Sequence, residues 1–73
     1  MEPRFRDLRE DKDLNQEEIA KLLHVSQATY SRYESGVLDI SAAALAILAE
    51  FYKTSIDYLL GLTDVKEPYP RKK

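Results

Sequence analysis

The sequence predicts one small all-α domain built from five short helices, and three observations support this class. The chain has 73 residues, the size of a single domain, and 44% of them are hydrophobic, which is enough for one core. Apolar residues recur at helical spacing, whereas no alternating run of β-branched residues exceeds about four positions. Capping residues and two glycines divide these stretches into short segments. We expect a compact five-helix domain over 1–64 and a short basic C-terminal tail over 65–73.

Each predicted helix has a start signal and an apolar face. Pro3 is tolerated in a first helical turn, and Phe5 and Leu8 follow at i, i+3. The later helices are capped by Asn15, Ser26, Ser41 and Thr54 or Ser55. Their apolar faces consist of Ile19, Leu22 and Leu23; Tyr30 and Tyr33; Leu45, Leu48, Ala49 and Tyr52 beside a second stripe of Ala44, Ile47 and Phe51; and Ile56, Leu59 and Leu60. Stop signals follow at Asp13, Gly36 and Gly61.

Composition excludes several classes of protein. There is no cysteine and a single histidine, His24, so neither a zinc site nor another metal centre nor thiol chemistry is expected. The longest uncharged stretches, 22–31 and 40–49, are far shorter than the roughly 20 apolar residues that span a bilayer, and the N-terminus does not resemble a signal peptide. We expect a cytoplasmic protein that uses no cofactor and does not contact a membrane.

Charge is unevenly distributed along the chain. The whole sequence carries 11 cations and 13 anions, a net charge of −2. Residues 1–60 hold 7 of the cations and 11 of the anions, net −4, and residues 61–73 hold the remaining 4 and 2, net +2. A basic surface must therefore be local or lie in the tail, which closes with Arg71, Lys72 and Lys73.

The second and third predicted helices form the most informative segment. Only about three residues, 23–25, separate them, so we expect them to cross steeply as a helix-turn-helix. The segment NQEEIAKLLHVSQATYSRYESG, from Asn15 to Gly36, resembles the helix-turn-helix of phage-repressor and Cro-like regulators, often called the Xre type. The segment 55–64, SIDYLLGLTD, resembles the fifth helix of that family. The likeness covers about residues 3 to 64 and implies a DNA-binding fold like that of lambda repressor.

The resemblance implies that the third helix enters the major groove with its N-terminal half. Gln27, Ala28 and Arg32 match base-facing positions, and Ser31 is small enough to allow close approach. Glutamine can pair bidentately with adenine, and arginine with guanine. The alternative is that Gln27 and Arg32 are solvated polar residues. Tyr30 and Tyr33 lie on the opposite side and are expected in the core.

Phosphate contacts are also implied by the resemblance, at the helix ends. The matching residues are Asn15, Gln16, Ser26, Ser35 and Gly36. Gln16 is further expected to brace Gln27, and Asn15 has the simpler alternative of being only an N-cap. The family frequently has Lys or Arg just after the glycine, whereas this chain has Val-Leu-Asp at 37–39, a departure that weakens the case for strong binding.

Two pairs of residues have structural interpretations. Arg9 and Glu34 match a family ion pair that joins the first helix to the end of the third; the alternative is two separate surface charges. Asp13 and His24 match turn positions where the family usually has glycine, so the resemblance implies positive φ at both. The remaining cations are expected to be solvated surface residues: Arg4, Arg6, Lys21, Lys53 and the tail.

The resemblance implies a DNA-binding transcriptional regulator, with repression favoured, and we expect it to act as a homodimer on a palindromic operator in double-stranded DNA. The expected dimer interface includes Phe51, Tyr58 and Leu62, unless these residues complete the monomer core. An enzyme is not expected, because the chain offers neither a Gly-rich loop nor a poised acid and base. The rival hypothesis, favoured by the acidic charge, is an antitoxin-like interaction module that binds a protein partner through the fourth and fifth helices.

Overall fold

The computed structural model describes residues 3–67 of the chain. Within this range the protein is all-helical, which confirms the predicted class. The helices are α1 (Phe5–Asp11), α2 (Gln16–Leu23), α3 (Gln27–Ser35), α4 (Ala42–Tyr52) and α5 (Ile56–Leu59). α2 packs against α3, and α4 packs against α5. None of these helices is long and apolar enough to cross a membrane.

Side-chain caps fix where four of the helices begin. The backbone N–H of the third helical residue donates to the side-chain oxygen of the cap at 2.8–3.1 Å in each case. The four caps are Asn15, Ser26, Ser41 and Ser55. At α2 the Glu18 carboxylate also accepts from the Asn15 N–H, so the predicted capping box is present. Local capping therefore defines the helix starts much as the sequence indicates.

α5 is a single turn, shorter than the predicted helix that ran to Gly61. Leu60 is its C-cap, and Gly61 adopts φ 78°. The N–H of Leu62 donates to the carbonyl of Asp57 at 2.8 Å, which folds the chain back over the turn. The glycine ends the helix because only its left-handed conformation allows this reversal without steric cost.

Within residues 3–67, three residues other than glycine have left-handed backbone conformations: Asp13 and Lys53 at φ 55° and His24 at φ 59°. The prediction for Asp13 and His24 is thus confirmed, while Lys53 was not foreseen. His24 is the C-cap of α2, and the next residue, Val25, donates its N–H to the carbonyl of Ala20 at 3.0 Å. This strained turn connects α2 directly to α3.

The core draws on all five helices. Its buried apolar residues are Phe5, Leu8, Ile19, Ala20, Leu23, Tyr30, Ala44, Leu45, Leu48, Tyr52 and Leu59. Only part of the second stripe predicted on α4 joins them: Ala44 is buried, whereas Ile47 is 39% exposed and Phe51 37% exposed. The wide apolar face of α4 is therefore not fully covered by the described part of this chain.

Candidate nucleic-acid interface

α3 presents a polar face to solvent and is fixed by one buried aromatic residue. Tyr30 is completely buried, and Tyr33 packs against it edge-to-face with ring centroids 6.4 Å apart. Gln27, Ala28 and Arg32 are exposed, and Ser31 beside them is half-buried. The spacing of these four residues places them along one side of the helix. All four predicted base-facing residues therefore share an accessible surface.

The N-terminus of α3 is held by Ser26. Its hydroxyl accepts from the Thr29 N–H at 3.1 Å and donates to the Thr29 hydroxyl at 3.0 Å. The Ser26 side chain is thus committed to capping, so the exposed N–H groups of the first turn are what this site offers to an anion.

The N-terminus of α2 is capped in the same way. Asn15 Oδ1 accepts from the Glu18 N–H at 2.8 Å, so Asn15 is an N-cap, as its simpler interpretation requires. Acidic residues at Glu17 and Glu18 stand in the first turn, where they complement the positive end of the helix dipole. The same negative charges lower the attraction of this end for a phosphate.

Arg9 and Glu34 form a buried, bidentate ion pair between α1 and α3. Arg9 Nε lies 2.7 Å from Glu34 Oε2, and Nη2 lies 3.2 Å from Oε1. The side chains are only 11% and 5% exposed. Arg9 also donates to the carbonyl of Leu14 at 2.9 Å. The pair therefore ties the start of the helix-turn-helix to its end.

Gln16 hydrogen-bonds to the Arg9–Glu34 ion pair, whereas the sequence predicted a contact with Gln27. Its Nε2 donates to Glu34 Oε1 at 3.1 Å, so the expected brace between Gln16 and Gln27 is replaced by a bond to the ion pair. Glu34 offers a charged acceptor, which makes a stronger hydrogen bond than a neutral amide does. Gln16 thus helps to position the start of α2 against the end of α3.

The charges in this network shift several pKa values. Burial alone would raise the pKa of Glu34, but hydrogen bonding from Arg9, with a contribution from Gln16, holds it below its ordinary value. The pKa of Arg9 is raised, first by its hydrogen bond to Glu34. Burial raises the pKa of Tyr52 to about 12, helped by the Glu34 charge. Glu34 therefore stays ionised at neutral pH.

The C-terminal end of α3 exposes Ser35 and Gly36. The Ser35 hydroxyl donates to the carbonyl of Arg32 at 3.2 Å. Gly36 has φ +80°, and a Cβ there would meet nothing within 4 Å, so the backbone conformation and not crowding favours glycine. Gln16, Ser31 and Ser35 line one shallow polar cleft together with Arg9 and Glu34.

Arg4 is the residue that sequence reasoning missed. It was predicted to be solvated, yet its side chain is only 24% exposed and donates to the carbonyls of Tyr58 and Thr63 at 2.8 and 2.7 Å. It also pairs with Asp64 at 2.9 Å. No local signal could have found these contacts, because backbone carbonyls far along the chain leave no mark in the sequence.

The three residues predicted for a dimer interface have different surroundings. Tyr58 is half-buried, and the Arg4 guanidinium lies 4.2 Å from the centroid of its ring, so one face of the ring is covered. Phe51 instead lines an apolar groove of about 420 Å³ between α2 and α4. That groove is lined by Leu22, Ala46, Ile47, Glu50 and Phe51. Leu62 is exposed but is not part of it.

Comparisons with known proteins agree with this architecture. The sequence profile of the family described as Helix-turn-helix matches residues 5–59. The chain is 36% identical over 70 residues to the uncharacterized HTH-type transcriptional regulator YobD of Bacillus subtilis (strain 168), covering 96% of this chain and 62% of YobD. It is 38% identical over 68 residues to the HTH-type transcriptional regulator AnsR of the same organism, covering 93% and 59%.

A phage protein is similarly related. The chain is 40% identical over 58 residues to the cryptic phage CTXphi transcriptional repressor RstR of Vibrio cholerae, covering 80% of this chain and 52% of RstR. The chain therefore spans between half and two thirds of the length of these relatives. No solved structure gives a significant match. Because the family profile and these relatives cover most of the chain, it belongs to the helix-turn-helix family of phage-repressor and Cro-like, or Xre-type, regulators.

Proposed function

We propose that this chain is a sequence-specific DNA-binding transcriptional regulator, acting as a repressor, that reads the major groove with α3. The observation that carries the proposal is the exposed polar face of α3, which holds Gln27, Ala28 and Arg32 opposite the fully buried Tyr30. A recognition helix needs this combination of a rigid anchor and accessible side chains. The names of the related regulators and the phage repressor support the same function.

Base recognition in this proposal depends on two side chains. Gln27 pairs with adenine and Arg32 with guanine, while Ala28 and Ser31 allow the helix to approach closely. Each bidentate pair contributes about 1 to 3 kcal/mol of discrimination against the wrong base. Two contacts per subunit are few, so a single domain has limited affinity, and a second half-site is needed for tight binding.

Phosphate recognition positions α3 in the groove. We assign this role to five residues at helix ends: Asn15, Gln16, Ser26, Ser35 and Gly36. At the starts of α2 and α3 the contact comes from unpaired N–H groups of the first helical turn, since the side chains of Asn15, Gln16 and Ser26 already make hydrogen bonds within the protein. The buried Arg9–Glu34 pair keeps these helix ends in register.

The proposed regulator is a homodimer that binds a palindromic operator and works in the cytoplasm. Two subunits related by a two-fold axis reach successive major grooves about 34 Å apart. We place Phe51 and Leu62 in the interface, because both are exposed apolar side chains, and leave Tyr58 only a peripheral role. In this scheme residues 1–64 form the DNA-binding domain, and 65–73 form a basic tail whose residues from 68 onward lie outside the described structure.

A protein-binding module is the second candidate, supported by the apolar groove between α2 and α4. In that case Ile47 and Phe51 would contact a partner protein, and the chain would act without binding DNA. The acidic net charge and the lack of a basic residue at 37–39 favour this alternative.

A gel-shift titration at two salt concentrations separates the two functions. The template is duplex DNA selected from a random pool by the parent chain. A DNA-binding regulator selects a defined palindrome, and its affinity falls steeply with salt because phosphate neutralisation releases counterions. Failure to enrich any sequence, together with no salt-dependent shift, would reject the regulator and leave the protein-binding module.

A further inference from the structure

We infer that Arg6 is a phosphate-binding residue that clamps α1 to the DNA backbone and that Glu10 restrains it in the free protein. This inference rests on the proposed DNA-binding function. It concerns a residue that the resemblance does not assign and that the sequence predicted to be merely solvated.

The three arginines of the N-terminal region have different commitments. Arg4 is held by two carbonyls and Asp64, and Arg9 is held by Glu34 and the carbonyl of Leu14. Arg6 has one exposed contact, to Glu10 Oε2 at 3.3 Å. Its side chain is 70% exposed. Arg6 is therefore the arginine of this group whose guanidinium can reach a ligand without disrupting the fold.

The location of Arg6 connects it to the candidate DNA-binding surface. It lines a polar cleft that also contains Ser35 and Gly36. It also lines the adjoining cleft that contains Gln16, Ser31 and Ser35. Arg6 thus shares these clefts with Gln16, Ser31, Ser35 and Gly36, to which phosphate and base contacts are assigned.

A phosphodiester is the ligand that suits this position. A guanidinium forms short, charge-assisted and often bidentate hydrogen bonds with phosphate oxygens. The segment 37–39, where a basic residue is common in the family, supplies no cation here, and Arg6 adjoins the Gly36 end of the same surface. Arg6 therefore supplies a cation beside this loop, in a cleft that Asp7, Glu10 and Glu34 also line.

Glu10 opposes the contact between Arg6 and a phosphate. Its carboxylate pairs with Arg6 in the free protein and lines the cleft that contains Ser35 and Gly36. An exposed ion pair of this type is weak, so Arg6 can exchange Glu10 for a phosphate. The Glu10 charge nevertheless repels the phosphate at short range, and removing that charge should tighten DNA binding.

The experiment compares Arg6→Gln, Arg6→Ala and Glu10→Gln with the parent chain. Affinity is measured by fluorescence anisotropy on the selected duplex and on an unrelated duplex over a range of KCl concentrations. Both Arg6 variants should weaken binding to the two duplexes by the same factor, and the slope of log K against log[KCl] should become shallower by about 0.9. Glu10→Gln should tighten binding to both duplexes.

Lys21 offers a matched control. It forms an exposed i, i+4 ion pair with Glu17, 3.6 Å apart, and does not line either of the two polar clefts. Lys21→Ala should leave the salt slope unchanged and alter affinity less than twofold. Circular dichroism of every variant verifies that the helices are intact.

The outcomes distinguish this inference from the function on which it rests. If the parent binds the selected duplex but the Arg6 variants keep the parental salt slope, the phosphate role of Arg6 is rejected and the regulator stands. A change of the same size in Lys21→Ala would equally reject it, since the effect would then reflect only total charge. If the parent shows no salt-dependent binding at all, both proposals fail.

Discussion

Loss of either partner of the Arg9–Glu34 pair should strongly destabilise the domain. In Glu34→Ala the Arg9 guanidinium stays largely buried, with only the carbonyl of Leu14 as a close acceptor. Leaving one charge of a buried pair without its partner costs about 3 to 5 kcal/mol. A domain of this size has a total stability of roughly 4 to 11 kcal/mol. The single variant therefore loses a large share of its free energy of unfolding.

The assay is a double-mutant cycle measured by urea unfolding at low temperature, where even a weakened variant starts folded. The variants are Arg9→Met, Glu34→Leu and their combination, so that apolar side chains fill the space in each case. Because both bonds of the pair are lost in either single variant, the coupling free energy should reach about 2 to 3 kcal/mol. The exposed Arg6–Glu10 pair is the control and should couple by less than about 1 kcal/mol.

The pH dependence of the same variants gives a second, independent readout. The folded-state pKa of Glu34 is lower than its ordinary value, so its ionised form stabilises the fold above that value. This stabilisation should be lost as the pH falls from about 5 through the folded-state pKa. A Glu34→Gln variant should therefore differ most from the parent near neutral pH and least in acid. A coupling free energy near zero, together with the same pH dependence of stability in the parent and in Glu34→Gln, would show that the two charges act independently.

Further variants test the turns, the core and the assembly. His24→Gly should raise the free energy of unfolding by at most about 1 kcal/mol, because glycine adopts φ 59° without strain. Gly36→Ala should lower the free energy of unfolding, because alanine is strained at φ 80°. A lower melting temperature for His24→Gly than for the parent would contradict the prediction for His24. Tyr52→Phe should be neutral or stabilising by up to about 1 kcal/mol, because the buried hydroxyl has no hydrogen-bond partner within 3–67. Since the pKa of Tyr52 is raised in the folded protein, the variant should also lose less stability above pH 10 than the parent does. A destabilisation above about 1 kcal/mol would show that the hydroxyl has a hydrogen-bond partner. Phe51→Ala should weaken both self-association, measured by sedimentation, and DNA binding, whereas the exposed control Val65→Ala should change neither. If the parent sediments as a monomer and Phe51→Ala leaves its DNA binding unchanged, the dimer is refuted.

The features that the sequence predicts well are local ones. Asn15, Ser26 and Ser41 cap helices because a short polar side chain reaches the N–H groups three residues on. His24 was expected at positive φ because it stands where the family usually has glycine and because histidine is enriched among non-glycine residues at positive φ. The alternation of buried and exposed positions on α3 follows equally from helical periodicity.

The features that the sequence does not predict depend on distant contacts. Arg4 reaches carbonyls more than 50 residues away, and nothing in its neighbourhood distinguishes it from the exposed Arg6. Ile47 and Phe51 continue an apolar stripe on α4, but how much of a stripe is covered depends on which helices pack against it. The predicted fifth helix ran to Gly61, whereas α5 ends at Leu59 and has Leu60 as its C-cap. Side-chain partners such as that of Gln16 also depend on how α1, α2 and α3 converge.

Selection of binding sites from random duplex DNA, carried out in parallel with the parent chain, Gln27→Ala and Arg32→Ala, tests most directly whether α3 reads sequence. The parent should enrich a palindrome with half-sites about one helical turn apart. Each variant should lose preference at one base pair per half-site and bind the parental site about 1 to 3 kcal/mol more weakly per lost contact, while Lys21→Ala keeps the parental consensus. Recovery of the same consensus with unchanged affinity by both Gln27→Ala and Arg32→Ala would contradict base recognition by α3.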